Sequence, residues 1–163
     1  MDLQYVLLNP NGRIAQREFW IGMLMIVLGN VFLTPIPLLG GLVWLVLIYV
    51  GVCVYGKRLH DAGRSAWVHM IPWAITGLLV LMAVMIAGAT LLSRMLSGGD
   101  INLFNMFALG GALSMLAGFG NLVWLIYTLW VGLSAGQAGA NAYGPAPIRI
   151  LTAEPPAPSD EQG

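Results

Sequence analysis

With 163 residues, 58% of them hydrophobic and only 9% charged, the chain falls far short of the roughly 25% charged residues of a soluble globular domain. That excludes water as the solvent for most of its surface and leaves lipid. The formal net charge is zero, but basic residues gather at the ends of apolar runs and three of the seven acids lie in the last ten residues. Charge distribution therefore says more about partners than the sum does.

The first 18 residues hold a short apolar stretch, Tyr5 to Leu8, a turn at Asn9-Pro10-Asn11-Gly12, and then R-I-A-Q-R-E-F-W. Asn11 is expected to cap a helix that carries Arg13 and Arg17 one turn apart on a shared face. Phe19 to Leu33 is apolar apart from Asn30 and forms a first span at about residues 19–34, near the short limit for crossing. Positive residues precede it and no small-residue cleavage site follows, so it is expected to stay in place as an anchor.

Thr34-Pro35-Ile36-Pro37 stops that run, since each proline removes a backbone donor and disfavours helix at the residue before it. A second span at about 38–57 completes a membrane hairpin with almost no loop outside. Its helix is expected to run on to Asp61 or Ala62 and to end at Gly63, which adopts the left-handed conformation other residues avoid. Cys53 lies inside this span, where a lone thiol packs as a small hydrophobe.

Lys57, Arg58, His60, Asp61 and Arg64 then crowd five ionisable side chains into eight positions, and any chemistry is to be sought there. Ser65 is placed to cap the next helix. A third span at about 68–92 follows, with Pro72 either kinking it or marking its first turn. Arg94 to Asn102 reads as the longest loop on the far side. Leu103 to Ala135 suffices for one crossing, placed at about 112–134, after an interfacial piece around Leu103 to Leu109. Gly132 and Gly136 mark a face for close helix approach, within the bundle or between copies. Asn121, near mid-membrane, is costly unless it pairs with a neighbouring helix or lines a pathway. After Gly136 the chain leaves the membrane. Residues 1–148 thus form one four-helix membrane domain, and 149–163 read as a disordered cytoplasmic tail.

Four spans gather both termini and the middle loop on one side. Arg13, Arg17, Lys57, Arg58, Arg64 and Arg149 fall there, against Arg94 alone on the other, which makes the first side cytoplasmic. Trp20 and Trp67 sit at that interface as an aromatic belt. The fold class expected is therefore an all-α integral membrane protein, a four-transmembrane-helix bundle with both termini cytoplasmic.

The three cytoplasmic segments read G-R-x-x-R-x-x-F-W at Gly12 to Trp20, K-R-L-H-D-x-G-R-S at Lys57 to Ser65, and G-x-x-G-x-N-x-Y-G-P-x-P at Gly136 to Pro147. They resemble the blocks of domain-of-unknown-function family 805, the YhaH-like bacterial inner-membrane proteins. After Ser65, where that family often has glycine and two aromatics, this chain has Ala66, Trp67 and Val68. The resemblance implies a small multi-pass protein of the bacterial inner, or plasma, membrane and brings no established activity.

Topology places residues of all three blocks on one membrane face. Arg13, Arg17, Arg58 and Arg64 are the candidates to hold an anionic group, a phospholipid headgroup or phosphate, with His60 and Asp61 fixing them and Ser65, Asn141 and Tyr143 in support. The competing reading is that Asp61 pairs locally with Lys57, Arg58 or Arg64 at helical spacing and merely anchors the loop. Catalysis is not expected. The His60-Asp61 pair has only His69 and remote acids as further metal ligands, Ser65 lacks a base and oxyanion partner, and no phosphate or dinucleotide fingerprint is present. No cofactor and no metal are implied. The partners expected are membrane lipids, anionic phospholipid among them, with a homo-oligomer or another membrane protein beside them and no nucleic acid. A small homo-oligomeric transporter or channel with Asn121 facing a central pore is the alternative function.

Overall fold

A computed structural model describes residues 2–98 and 103–147, and these are helical with irregular connections. The tail assigned to 149–163 and the tip of the Arg94 to Asn102 loop lie outside the described residues. Five helices follow in order: α1 (Leu3–Leu8), α2 (Gln16–Phe32), α3 (Gly40–Asp61), α4 (Met70–Ser97) and α5 (Leu103–Leu133), with a 3-10 turn at Ala66–His69 leading into α4.

Among the described residues three helices, not four, are long and apolar enough to cross a membrane: α3, α4 with its leading turn, and α5. The expected first span falls short because α2 has 17 residues, about 25 Å at 1.5 Å per residue, against a hydrocarbon core of about 30 Å. It ends at Phe32, two residues before Thr34, and packs along α3. The reversal between them puts Leu38 at φ 66°. It also brings the backbone so close that a Cβ on Gly40 would lie 1.9 Å from the Thr34 carbonyl oxygen.

Several local expectations are met. α3 ends at Asp61 and Gly63 has φ +71°. Ser65 Oγ accepts from the Trp67 N–H at 3.3 Å, and Pro72 falls in the first turn of α4, where its missing donor costs nothing. Others are corrected. Asn11 caps no helix, because α2 is entered at Ala15, four residues on, while the Asn11 N–H donates to Asn9 Oδ1 at 2.9 Å in a tight turn. α2 starts instead at Gln16, where Glu18 Oε2 accepts from the Ala15 N–H at 3.0 Å. Arg13 therefore precedes α2 and does not share a helical face with Arg17. Tyr5 to Leu8 lies in a helix of its own, capped by Asp2 Oδ1 at the Tyr5 N–H. Leu103 to Leu109 is not a separate element: the helix runs unbroken through Gly110-Gly111 to Leu133, since no proline interrupts it.

The buried core is concentrated at one end of the bundle. Val6, Ile14, Phe19, Val50, Val54, Tyr55, Leu59, Tyr127 and Val131 form it. They come from α1, the approach to α2 and its first turn, α3 from its midpoint onward, and the end of α5. Half of the apolar window of α3 is buried and none of that of α4, so α3 is the post on which the other elements are hung. Phe19 stands edge-on to Tyr55 at 5.4 Å, and Tyr55 stacks on His69 at 4.6 Å and on Tyr127 at 5.4 Å. His69 is held at both nitrogens. The Trp73 indole N–H donates to Nε2 at 3.3 Å, so Nδ1 carries the ring proton toward the Tyr127 hydroxyl at 3.1 Å.

Candidate functional site

The charged block ends α3, where four carbonyls lack helical partners, and the three sequence blocks meet around them. The Gln137 N–H donates to the Asp61 carbonyl at 2.8 Å, and Asn141 Nδ2 donates to the His60 carbonyl at 2.9 Å and to Gln137 Oε1 at 2.8 Å. The segment after α5 therefore wraps the end of α3. Gly63 is favoured there by its φ, and a Cβ at this position would stand 2.3 Å from the end of the Gln137 side chain and displace it. Residues 141–144 close in a tight turn with Gly144 at φ +129°.

Asp61 is completely buried and bridges two arginines. Arg13 Nη2 lies 2.9 Å from Asp61 Oδ1, and Arg58 Nη1 lies 2.6 Å from Oδ2. Arg13, 4% exposed, uses all five donors: Nε and Nη2 on Asp61 Oδ1, Nη2 also on the Gln137 carbonyl at 2.5 Å, and Nη1 on the carbonyls of Gly139 at 2.6 Å and Gly144 at 3.3 Å. Arg58, 3% exposed, reaches across to the carbonyls of Gly132 and Ser134. One carboxylate thus fastens the segment before α2, the end of α3 and the exit of α5. The local pairing of Asp61 with Arg58 and the long-range gathering of the three blocks prove to be one arrangement.

The remaining candidates are placed differently. Lys57 is fully buried, yet it pairs with no acid of the loop: its ammonium donates to the carbonyls of Tyr5 and Val6 and sits 4.5 Å from the Tyr5 ring centroid, clamping α1 onto α3. Arg64 lies over the Trp130 ring at 4.2 Å and Trp67 is 80% exposed, both suited to a membrane interface. His60 forms no hydrogen bond with the arginines among the described residues. Its ring stacks on Tyr143 at 3.9 Å with a 3° tilt, and Nδ1 donates to the Gly12 carbonyl at 3.2 Å. Arg17 is exposed and has no hydrogen-bond or ion-pair partner among the described residues.

Beside this cluster opens a cleft of about 1280 Å³, bounded by the start of α2 and the segment after α5 and lined by Arg13, Arg17, Arg58, Asp2, Glu18 and Tyr143, among others. Arg64 is not in its lining, so the four arginines do not converge. Among the described residues no three His, Cys, Asp or Glu side chains are placed to hold a metal ion.

Sequence reading missed most of the acceptors. Those of Arg13, Arg58 and Lys57 are largely backbone carbonyls, which any residue supplies. The one available signal was the glycine density of Gly136 to Gly144, which marks backbone able to approach closely.

The helices and the inward-turned charges make this a chain with the build of a membrane protein, its polar apparatus collected at one end of an apolar bundle. It belongs to the family described as protein of unknown function (DUF805), whose pattern matches residues 7–145 and takes in the first two blocks whole and the third as far as Pro145. No curated protein and no solved structure matches it.

Proposed function

We propose that the protein is a non-catalytic component of the bacterial inner membrane whose polar-end cleft holds a phosphate-bearing headgroup. In this reading α2 dips across beside α3 as a short fourth span, both termini are cytoplasmic, and the cleft opens at the depth of the lipid headgroups. The carrying observation is the lining: Arg13, Arg17 and Arg58 on one cleft, at the level where α2 and α5 leave the apolar zone. The excess of basic residues at this end supports a cytoplasmic location.

Arg13 and Arg58 are committed to Asp61 and to carbonyls, so they supply field while Arg17 supplies the direct contact. Asp2 and Glu18 stand on the same walls, and each uses one carboxylate oxygen on a backbone amide. A headgroup that carries an ammonium beside its phosphate is therefore accommodated along with a purely anionic one.

Native mass spectrometry of the detergent-extracted protein tests this. Phospholipid is expected to copurify with the wild type and to fall at least about tenfold in Arg17→Ala, the scale of one lost charge-assisted hydrogen bond. Exchange into phosphatidylglycerol or phosphatidylethanolamine micelles separates the two headgroup types. Displacement by inorganic phosphate alone points to a free-anion site. Equal lipid retention in wild type and Arg17→Ala contradicts the proposal.

A further inference from the structure

Asn121 lies on α5 twelve residues before Leu133, about 18 Å along the helix from its polar end at 1.5 Å per residue. With a hydrocarbon core of about 30 Å, that is close to the middle. Most polar side chains elsewhere on the apolar helices are provided for. Asn30 donates to the Ile26 carbonyl at 3.0 Å, Thr90 to Ile86 at 2.7 Å, Ser97 to Ser93 at 2.8 Å and Ser134 to Trp130 at 2.6 Å, each four residues back on its own helix. Thr76 accepts from the Trp124 indole at 2.9 Å, and Thr128 pairs with the Tyr55 hydroxyl at 2.5 Å.

Asn121 does neither. It is exposed, its amide has no hydrogen-bond partner among the described residues, and Ser114, two turns earlier on the same face, is in the same position. Asn121 also lines a groove of about 340 Å³ between α4 and α5, together with Thr76, Ala83, Ala117 and Gly120. A primary amide left unpaired in hydrocarbon is costly, and acyl chains offer neither donor nor acceptor. Whatever covers this face has to bring both.

A second copy does so. The amide presents one carbonyl and two N–H bonds, so it is its own complement. A two-fold axis along the membrane normal beside α5 sets Asn121 against Asn121, each donating to the other. Beyond that pair the two helices diverge, because Thr128 and Gly132, further along the same face, are covered by Tyr55 and by Phe19 and Trp20. Ala117 and Gly118, between Ser114 and Asn121, carry too little side chain to keep two such helices apart.

We propose that the α5 face carrying Ser114, Ala117, Gly118 and Asn121 is the contact between two copies of this chain, with the paired Asn121 amides at its centre. This stands apart from the headgroup reading, because the two sites lie at different depths. The test uses full-length protein in phospholipid vesicles and a Cys53→Ala background. Gly118→Cys is expected to form a disulfide-linked dimer on mild oxidation, whereas Phe119→Cys, turned about 100° away, is not. By resonance energy transfer between labelled copies, Asn121→Leu is expected to weaken association at least tenfold and Asn121→Gln, which keeps the amide, to retain it. Equal cross-linking at 118 and 119, or association of Asn121→Leu as tight as wild type, overturns the proposal. Headgroup binding by a monomer would leave the cleft reading intact and sink this one.

Discussion

Asp61→Asn is expected to be the most damaging single change in the protein. The substitution keeps the side-chain shape but removes the one carboxylate shared by Arg13 and Arg58, and it turns an amide N–H toward guanidinium donors. Both arginines are then left as buried charges without their counter-ion. Breaking a buried ion pair from one side costs about 3–5 kcal/mol, so the unfolding midpoint of detergent-purified protein should fall by roughly 10 °C. Arg13→Met alone leaves Asp61 paired with Arg58 and should cost less. The double variant Arg13→Met/Asp61→Asn strands one charge where the single Asp61 variant strands two, so the combined loss should fall short of the sum of the single losses. Strict additivity would mean that the three side chains do not act as a unit.

Gly132→Ala is expected to come second. A Cβ there would stand 2.4 Å from Trp20 Cζ2 and 2.8 Å from Phe19 Cε1, where the start of α2 crosses α5. Trp20 has room to swing, but Phe19 is fully buried and held edge-on by Tyr55. Overpacking of this kind costs about 1–3 kcal/mol. Gly77→Ala on α4 is the control: nothing lies within 4 Å of its Cβ, and alanine is the better helix former. Thermal unfolding of the two variants should thus separate by several degrees, with Gly77→Ala at or slightly above wild type. If both behave alike, α2 does not pack on α5 at Gly132.

Gly132 also shows where the glycine spacing led. The pair Gly132 and Gly136 suited packing within the bundle or between copies, and at Gly132 the answer is within, because two aromatics of α2 fill the place of the missing side chain. The apolar runs and their proline and glycine stops made α3 and α4 legible in advance as helices apolar enough to cross a membrane, as they did the end of α3 at Gly63. Proline and left-handed glycine act locally, so no tertiary knowledge is needed to read them. The gathering of three distant blocks was legible as well, since successive antiparallel apolar helices, α2 among them though it is short of bilayer length, return the chain to the same end.

What stayed hidden depended on length and on backbone. α1 has six residues, too few for periodicity to reveal or for helix propensity to hold without packing. It is held by Lys57, whose acceptors are the carbonyls of Tyr5 and Val6. In the same way Arg13 turns away from α2 because the carbonyls of Gln137, Gly139 and Gly144 and the Asp61 carboxylate lie on the other side. Carbonyl acceptors leave no trace in residue identity. A run of four arginines therefore suggested one converging site, where the structure puts two in a buried brace, one on a cleft wall and one over a tryptophan.

The central claim is that the segment before α2, the end of α3 and the segment after α5 fold together at a single face of the membrane. Single cysteines at Asn11, His60 and Tyr143, in a Cys53→Ala background, test it with a membrane-impermeant thiol reagent applied to sealed vesicles of known orientation. All three should react from the same side only, with His60→Cys slowest because the Tyr143 ring covers it. Reaction of His60→Cys and Tyr143→Cys from opposite sides would contradict the account.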